Sequence, residues 1–211
     1  MTTYTFTKKE EIAHTITHAI GVLFSIVAMV SLITFANSGN FWQVTSVIIF
    51  GSTMLFMYLS STICHGLPPG KWKDLFQIFD HSSIYLFIAG TYTPILVGPL
   101  RTEIGWTFFI IVWTIAIVGI IFKIFFVKKF LVISTLFYIL MGWLIVFIWE
   151  PLTKVFPTEG VHYLVVGGIF YTVGTIFYIW RRFCYHHAIW HLFVIVGSVF
   201  HFLSILVYIS Y

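Results

Sequence analysis

Ile104-Gly-Trp-Thr-Phe-Phe-Ile-Ile-Val-Trp-Thr-Ile-Ala-Ile-Val-Gly-Ile-Ile-Phe122 runs for 19 residues without a charge, between Glu103 and Lys123. As a helix rising 1.5 Å per residue it would be about 29 Å long, close to the hydrocarbon thickness of a bilayer. In lipid, a segment must satisfy its own backbone polar groups, which a helix does. Reading outward from 104–122, similar runs occupy about 16–36, 42–64, 80–99, 130–149, 161–180 and 187–209. They predict an all-α membrane protein, a seven-transmembrane helix bundle that forms a single domain over residues 1–211. Turn signals separate them: Asn37-Ser-Gly-Asn40, Leu67-Pro-Pro-Gly70, and the pair Pro151 and Pro157.

Composition agrees. Of the 211 residues 60% are apolar and 9% charged, whereas a soluble domain carries about 25% charged residues. Mean hydropathy is +1.01. Seven spans of roughly 20 residues use about 140 positions, which leaves only loops and tails and excludes an appended soluble domain. The formal charge is +4, but the basic residues are scattered singly and in pairs, so nucleic acid is excluded as a partner and no soluble partner is expected. Cys64 and Cys184 are too few for a disulfide framework and read as packing residues. The apolar run after the N-terminal segment is too long for a signal peptide and has no small-residue cleavage site, so it is expected to remain as the first span.

Lys8, Lys9, Lys71, Lys73, Lys123, Lys128, Lys129, Arg181 and Arg182 fall on one side of this arrangement, and only Arg101 and Lys154 on the other. The positive-inside rule then predicts a cytoplasmic N-terminus and an outside C-terminus. Trp72 and Trp180 fall near the inner interface, and Trp42, Trp106 and Trp149 near the outer one.

The polar residues are unevenly placed. Seven of nine histidines (His14, His18, His65, His81, His186, His187 and His191) gather at the inner ends of the first, second, third and seventh spans, with Glu11 and Asp80. His162 lies at the outer end and His201 deeper in the last span. Ionisable groups at membrane depth usually face a bundle interior or cavity; the plainer reading is interfacial histidines that touch headgroups. His187 and His191 are four apart, so both rings leave one helix face, to which Ser198 and His201 return within about 40°. His14 and His18 form a second pair of the same spacing, and spacing does not choose between the two. Ser61 and His65 share a face of the second span. Asp80 is read as opening the third span, either as a helix-start carboxylate or facing inward beside the imidazoles. Three imidazoles with an open fourth position are the ligand plan of a catalytic zinc ion, beside which Asp80 is a candidate base and Ser61 a donor to an oxyanion.

The stretches Tyr58-Leu-Ser-Ser-Thr-Ile-Cys-His65, Phe79-Asp80-His81 and His187-Ala-Ile-Trp-His191 resemble the hemolysin III group of the progestin and adipoQ receptor family. That family includes the adiponectin receptors and looks distantly related to alkaline ceramidases. The likeness runs from Glu11 to His201, and the short tails fit the bacterial branch, implying a bacterial plasma membrane. It implies that His65, His187 and His191 are the zinc ligands, that Asp80 acts through a zinc-held water, and that Ser61 belongs to the same element as His65. The family's N-terminal pattern appears as Glu11, His14, Thr17, His18 and Gly21, with His14 where Asn is usual; its implied role is to close the inner end of the bundle.

Three functions are expected in turn. The first is a zinc-dependent intramembrane hydrolase of lipid amides or esters, with Asp80 and Ser61 as catalytic groups and a membrane lipid as substrate. The second is a sensor or regulator of membrane state in which zinc is structural and lipid a ligand. The third is the pore-forming cytolysin of the family name, which the nearly all-round apolar fourth and fifth spans disfavour. Pro94 is expected to kink the third span, Gly167, Gly168 and Gly174 to permit close helix contact, and His81 and His186 to point away from the ligands.

Overall fold

The computed structural model describes residues 6–36 and 39–210. Helix α1 spans Lys8–Phe35, α2 Phe41–Gly66, α3 Lys71–Leu96 and α4 Glu103–Phe126. Helix α5 spans Leu131–Gly142 and continues through a 3-10 segment, Trp143–Ile148, into the short α6, Trp149–Val155. Helices α7, Thr158–Ile179, and α8, His186–Ser210, complete the chain. Taking α5 to α6 as one interrupted rod, the described residues form seven rods. Six are long and apolar enough to cross a membrane. The seventh, α3, is as long as α2 but less apolar. It lies between α2 and α4 with α5 and α8 also against it, so its polar positions Ser82, Ser83, Thr91 and Thr93 are buried against protein.

Two rods begin well before the runs that hydropathy marks. Thr7 caps α1: its hydroxyl oxygen accepts from the Glu10 N–H while the Glu10 carboxylate accepts from the Thr7 N–H. This reciprocal pair extends α1 two turns ahead of residue 16 and brings Glu10, Glu11 and His14 into the helix. Helix α3 starts at Lys71, so Asp80 lies in its third turn and does not open it, which corrects the helix-start reading of that carboxylate. The fifth run, expected as one helix over 130–149, is broken at Gly142. There the Tyr92 hydroxyl donates to the Met141 and Gly142 carbonyls at 3.0 and 2.7 Å and accepts the Ile145 N–H at 3.0 Å. One side chain thus meets the backbone groups that the break frees. Pro94 sits in the last turn of α3, near its end at Leu96 and not in mid-helix. Within the turn expected at 37–40, residues 37 and 38 lie outside the described residues.

Neighbouring rods close a ring in the order α1, α2, α3, α5, α7, α8, with α4 packed outside on α3. Small residues set the closest approaches. Gly21 meets the Tyr58 ring between α1 and α2, Gly119 meets Tyr85 between α4 and α3, and Gly167 and Gly174 of α7 meet His201, Trp190 and Phe193 of α8. Gly168 makes only ordinary contact, with Trp143. At one end, Lys73 bonds Glu11 and Lys128 bonds Asp74 at 2.6 Å. At the other, Arg101 lies over the Trp42 ring, which packs on Trp106.

Candidate metal centre

Three rods converge at the Lys73 end of the ring. Glu10 ties α1 to α8, because its second oxygen accepts the Tyr185 N–H at 3.1 Å, just before the first turn of α8. A carboxylate there also suits the positive end of the helix dipole. The turn so fixed carries His187 and His191, and the last turn of α2 carries His65.

Donor atoms of His65, His187 and His191 all lie within 4.8 Å of one another. Ring centroids are 4.5 Å apart for His187 and His191, 5.1 Å for His65 and His187, and 5.3 Å for His65 and His191. His65 and His191 are buried. The far nitrogens of two of these rings are engaged. His65 donates from Nδ1 to Glu11 Oε2 at 2.7 Å, and Lys73 holds the other oxygen of that carboxylate at 2.9 Å. His191 Nδ1 lies 3.0 Å from Thr17 Oγ1 and 3.3 Å from the His14 carbonyl. The Thr17 hydroxyl already donates to the Ala13 and His14 carbonyls, so the proton between it and His191 belongs to the imidazole. In both rings Nδ1 therefore carries the hydrogen and Nε2 the lone pair. Histidine metal ligands are oriented in this way, by a carboxylate, hydroxyl or carbonyl on the other nitrogen. His65 Nε2 is buried with no hydrogen-bond partner among the described residues. A buried lone pair left so, at the meeting of three imidazoles, fits a divalent ion of borderline softness such as zinc.

A cavity of about 150 Å³ opens from this point into the middle of the ring. His187, His191, Ser61 and Asp80 share its wall at the histidine end, and Ile88, Ile95 and Leu164 line it farther on. Asp80 stands outside the 4.8 Å donor set. The Ser61 hydroxyl and the Tyr178 hydroxyl, which faces the same space, are buried without hydrogen-bond partners among the described residues. His18 stacks on His191, with ring centroids 3.4 Å apart and planes 16° from parallel. His81 and His186 turn aside to donate to the carbonyls of Gln77 and Phe177. His201 donates to the Gly197 carbonyl and meets the cavity beyond the cluster.

Reading the sequence for spans placed Lys73 only as a charge at the inner side, and it passed over Tyr178. No spacing rule joins Lys73 and His65 to Glu11, since those contacts cross three helices. A local signal did exist for α1: Glu11, His14 and His18 recur at i, i+3 and i+7, one face of a helix.

Comparison with known proteins identifies the family. A family model described as "Haemolysin-III related" matches residues 6–202. The chain is 53% identical to "Hemolysin-3 homolog" of Bacillus subtilis, over 96% of each chain. It is 49% identical to "Hemolysin-3" of Bacillus cereus, over 99% of this chain and 96% of that one. The human "Monocyte to macrophage differentiation factor" is 29% identical over 95% of this chain and 84% of its own. With six membrane-length apolar helices, these matches mark an integral, multi-pass protein of the bacterial membrane. The chain belongs to the haemolysin-III-related family, within the wider progestin and adipoQ receptor group.

Proposed function

We propose that the chain is a zinc-dependent intramembrane hydrolase of a lipid amide or ester, with its N-terminus cytoplasmic and α3 as the seventh span. The observation that carries this reading is one shared wall: the His187 and His191 imidazoles of the close-set triad, the Ser61 hydroxyl and the Asp80 carboxylate border a cavity whose farther wall is apolar. His65, His187 and His191 hold the ion, which when bound supplies Lewis-acid polarisation and a nucleophile at neutral pH. Asp80 takes the proton released by the attacking water and returns it to the leaving nitrogen or oxygen. Ser61, whose hydroxyl has no other partner among the described residues, donates to the oxygen on which charge develops. Asp80 and Ile95, both on the cavity wall, are separated by about 22 Å of helix axis, room for an extended acyl chain. The lipid enters sideways past the interrupted rod α5 to α6, which is joined to α3 and α7 by few contacts.

A non-catalytic role has its own support, since the triad ties α2 to α8 and an ion there would clamp the ring. Purified protein, assayed with lipid amides and esters before and after chelation, separates the two. Hydrolysis requires turnover that chelation abolishes and that Asp80→Asn loses while keeping its zinc. A clamp requires a lowered melting temperature on chelation and no turnover. Conductance in clean bilayers would instead favour the activity named for the Bacillus relatives.

A further inference from the structure

Beside the triad lies a second set of donors, and of these the proposed reaction uses only His65 as a ligand. Glu11, His14 and His65 present ligand atoms that also lie within 4.8 Å of one another. His14 is completely buried, and neither of its ring nitrogens makes a hydrogen bond among the described residues. Its Nδ1 stands 3.9 Å from Glu11 Oε2, and its ring is centred 4.8 Å from His65 and from His187. Lys73 holds Glu11 Oε1, and Oε2, which accepts the His65 Nδ1 hydrogen at 2.7 Å, faces both imidazoles; an ion at Oε2 takes the place of that hydrogen, which moves to Nε2. One carboxylate and two imidazoles are a donor set for zinc or ferrous iron.

We infer that Glu11, His14 and His65 form a loading station for a divalent cation, from which the ion passes to the triad through the shared His65 ring. The inference rests on the triad's being a metal site, as in the proposed function. A neutral imidazole has one lone pair, so His65 serves one position at a time and the chain holds a single ion. Each position has one half-buried and two buried ligands, but His191 of the triad meets Thr17 and His18, about two turns farther along α1 than Glu11, so the station lies nearer the helix end and is met first on the way in. The Lys73 ammonium beside Glu11 repels a cation and makes the station the weaker of the two. The Phe6 ring, centred 4.5 Å from His14 and 5.2 Å from His187, covers both positions.

Titration of metal-stripped protein with Co2+ alone, followed by visible absorption and calorimetry, tests this. Wild type should bind one ion per chain. His187→Ala should still bind one, weakened at least roughly tenfold, and adding His14→Asn or Glu11→Gln to it should abolish that residual binding. His14→Asn alone, which installs the residue usual in the resembled family, should keep the ion but slow its uptake. The station is overturned if His187→Ala binds no Co2+ while wild type does, or if the double variants bind as His187→Ala does. Should His187→Ala bind as tightly as wild type and lose the ion with His14→Asn, the station stands and the triad reading falls. No binding by wild type overturns both. Melting temperature and elution volume of each variant distinguish lost ligands from lost folding.

Discussion

The corner where α1, α2 and α8 meet and the rod running from α5 to α6 are built on opposite plans. In the corner, Gly21 admits the Tyr58 ring, whose hydroxyl donates to Ser198 of α8 at 2.7 Å, while His18 lies flat on His191. Key polar side chains there are held from a different helix, Glu11 by Lys73, His65 by Glu11 and His191 by Thr17. The α5 to α6 rod carries apolar surface, is interrupted at Gly142, and is pinned at a few aromatic points: Tyr92 at the break, Tyr138 to the His81 carbonyl, and Trp143 to Thr172. One side of the cavity is therefore rigid enough to position three imidazoles. The other is held to its neighbours at fewer points, a division that suits the lipid entry proposed above.

The largest test of the contrast is His65→Ala. His65 belongs to both donor sets and links the Glu11–Lys73 pair to the triad. Elemental analysis should find the ion lost altogether, whereas an alanine at Phe137, on the lipid-facing side of α5, should leave the content unchanged. Retention of one ion by His65→Ala would place the centre elsewhere.

The same contrast explains what could be read before the fold was seen. The apolar runs announced the rods because lipid imposes a hydropathy rule along each of them. Hydropathy ends where the lipid ends, so the charged first turns of α1 and α3 were missed, although Thr7-x-x-Glu10 is a recognisable cap. It also underweights α3, which faces protein. The His187–His191 pair was visible from spacing, but its preference over His14–His18 came from resemblance, and the fold sets all four rings together. The break at Gly142 was not legible. Its partner, Tyr92, lies on another helix, and no residue of the run itself signals the lost hydrogen bonds.

Gly21→Ala comes next in size. A Cβ there would overlap the Tyr58 ring, which cannot retreat without leaving Ser198 and losing its edge contact with His18 at 5.1 Å. Overpacking of this kind costs about 1–3 kcal/mol, read as a lower melting temperature. Because His18 lies on His191, the zinc affinity should fall as well. Unchanged affinity in a destabilised variant would separate packing from the ligands and weaken the view of the corner as one unit.

Gly142→Ala is the matching change in the other region and should have the smallest effect. Nothing lies within 4 Å of a Cβ built there, and the backbone at φ −63° and ψ −32° is helical, a conformation that alanine prefers to glycine. The entropic advantage of alanine, about 0.5–1 kcal/mol in a helix, should appear as a slightly raised melting temperature, with zinc content and affinity unaltered. A marked loss of stability would mean that the interrupted rod is packed as closely as the corner, and a lipid could not then pass beside it. A gain above about 1 kcal/mol would mean that alanine had drawn the 3-10 segment back into a continuous helix. The Ile145 N–H would then leave the Tyr92 hydroxyl, so the cavity should change shape while the three imidazoles stay in place.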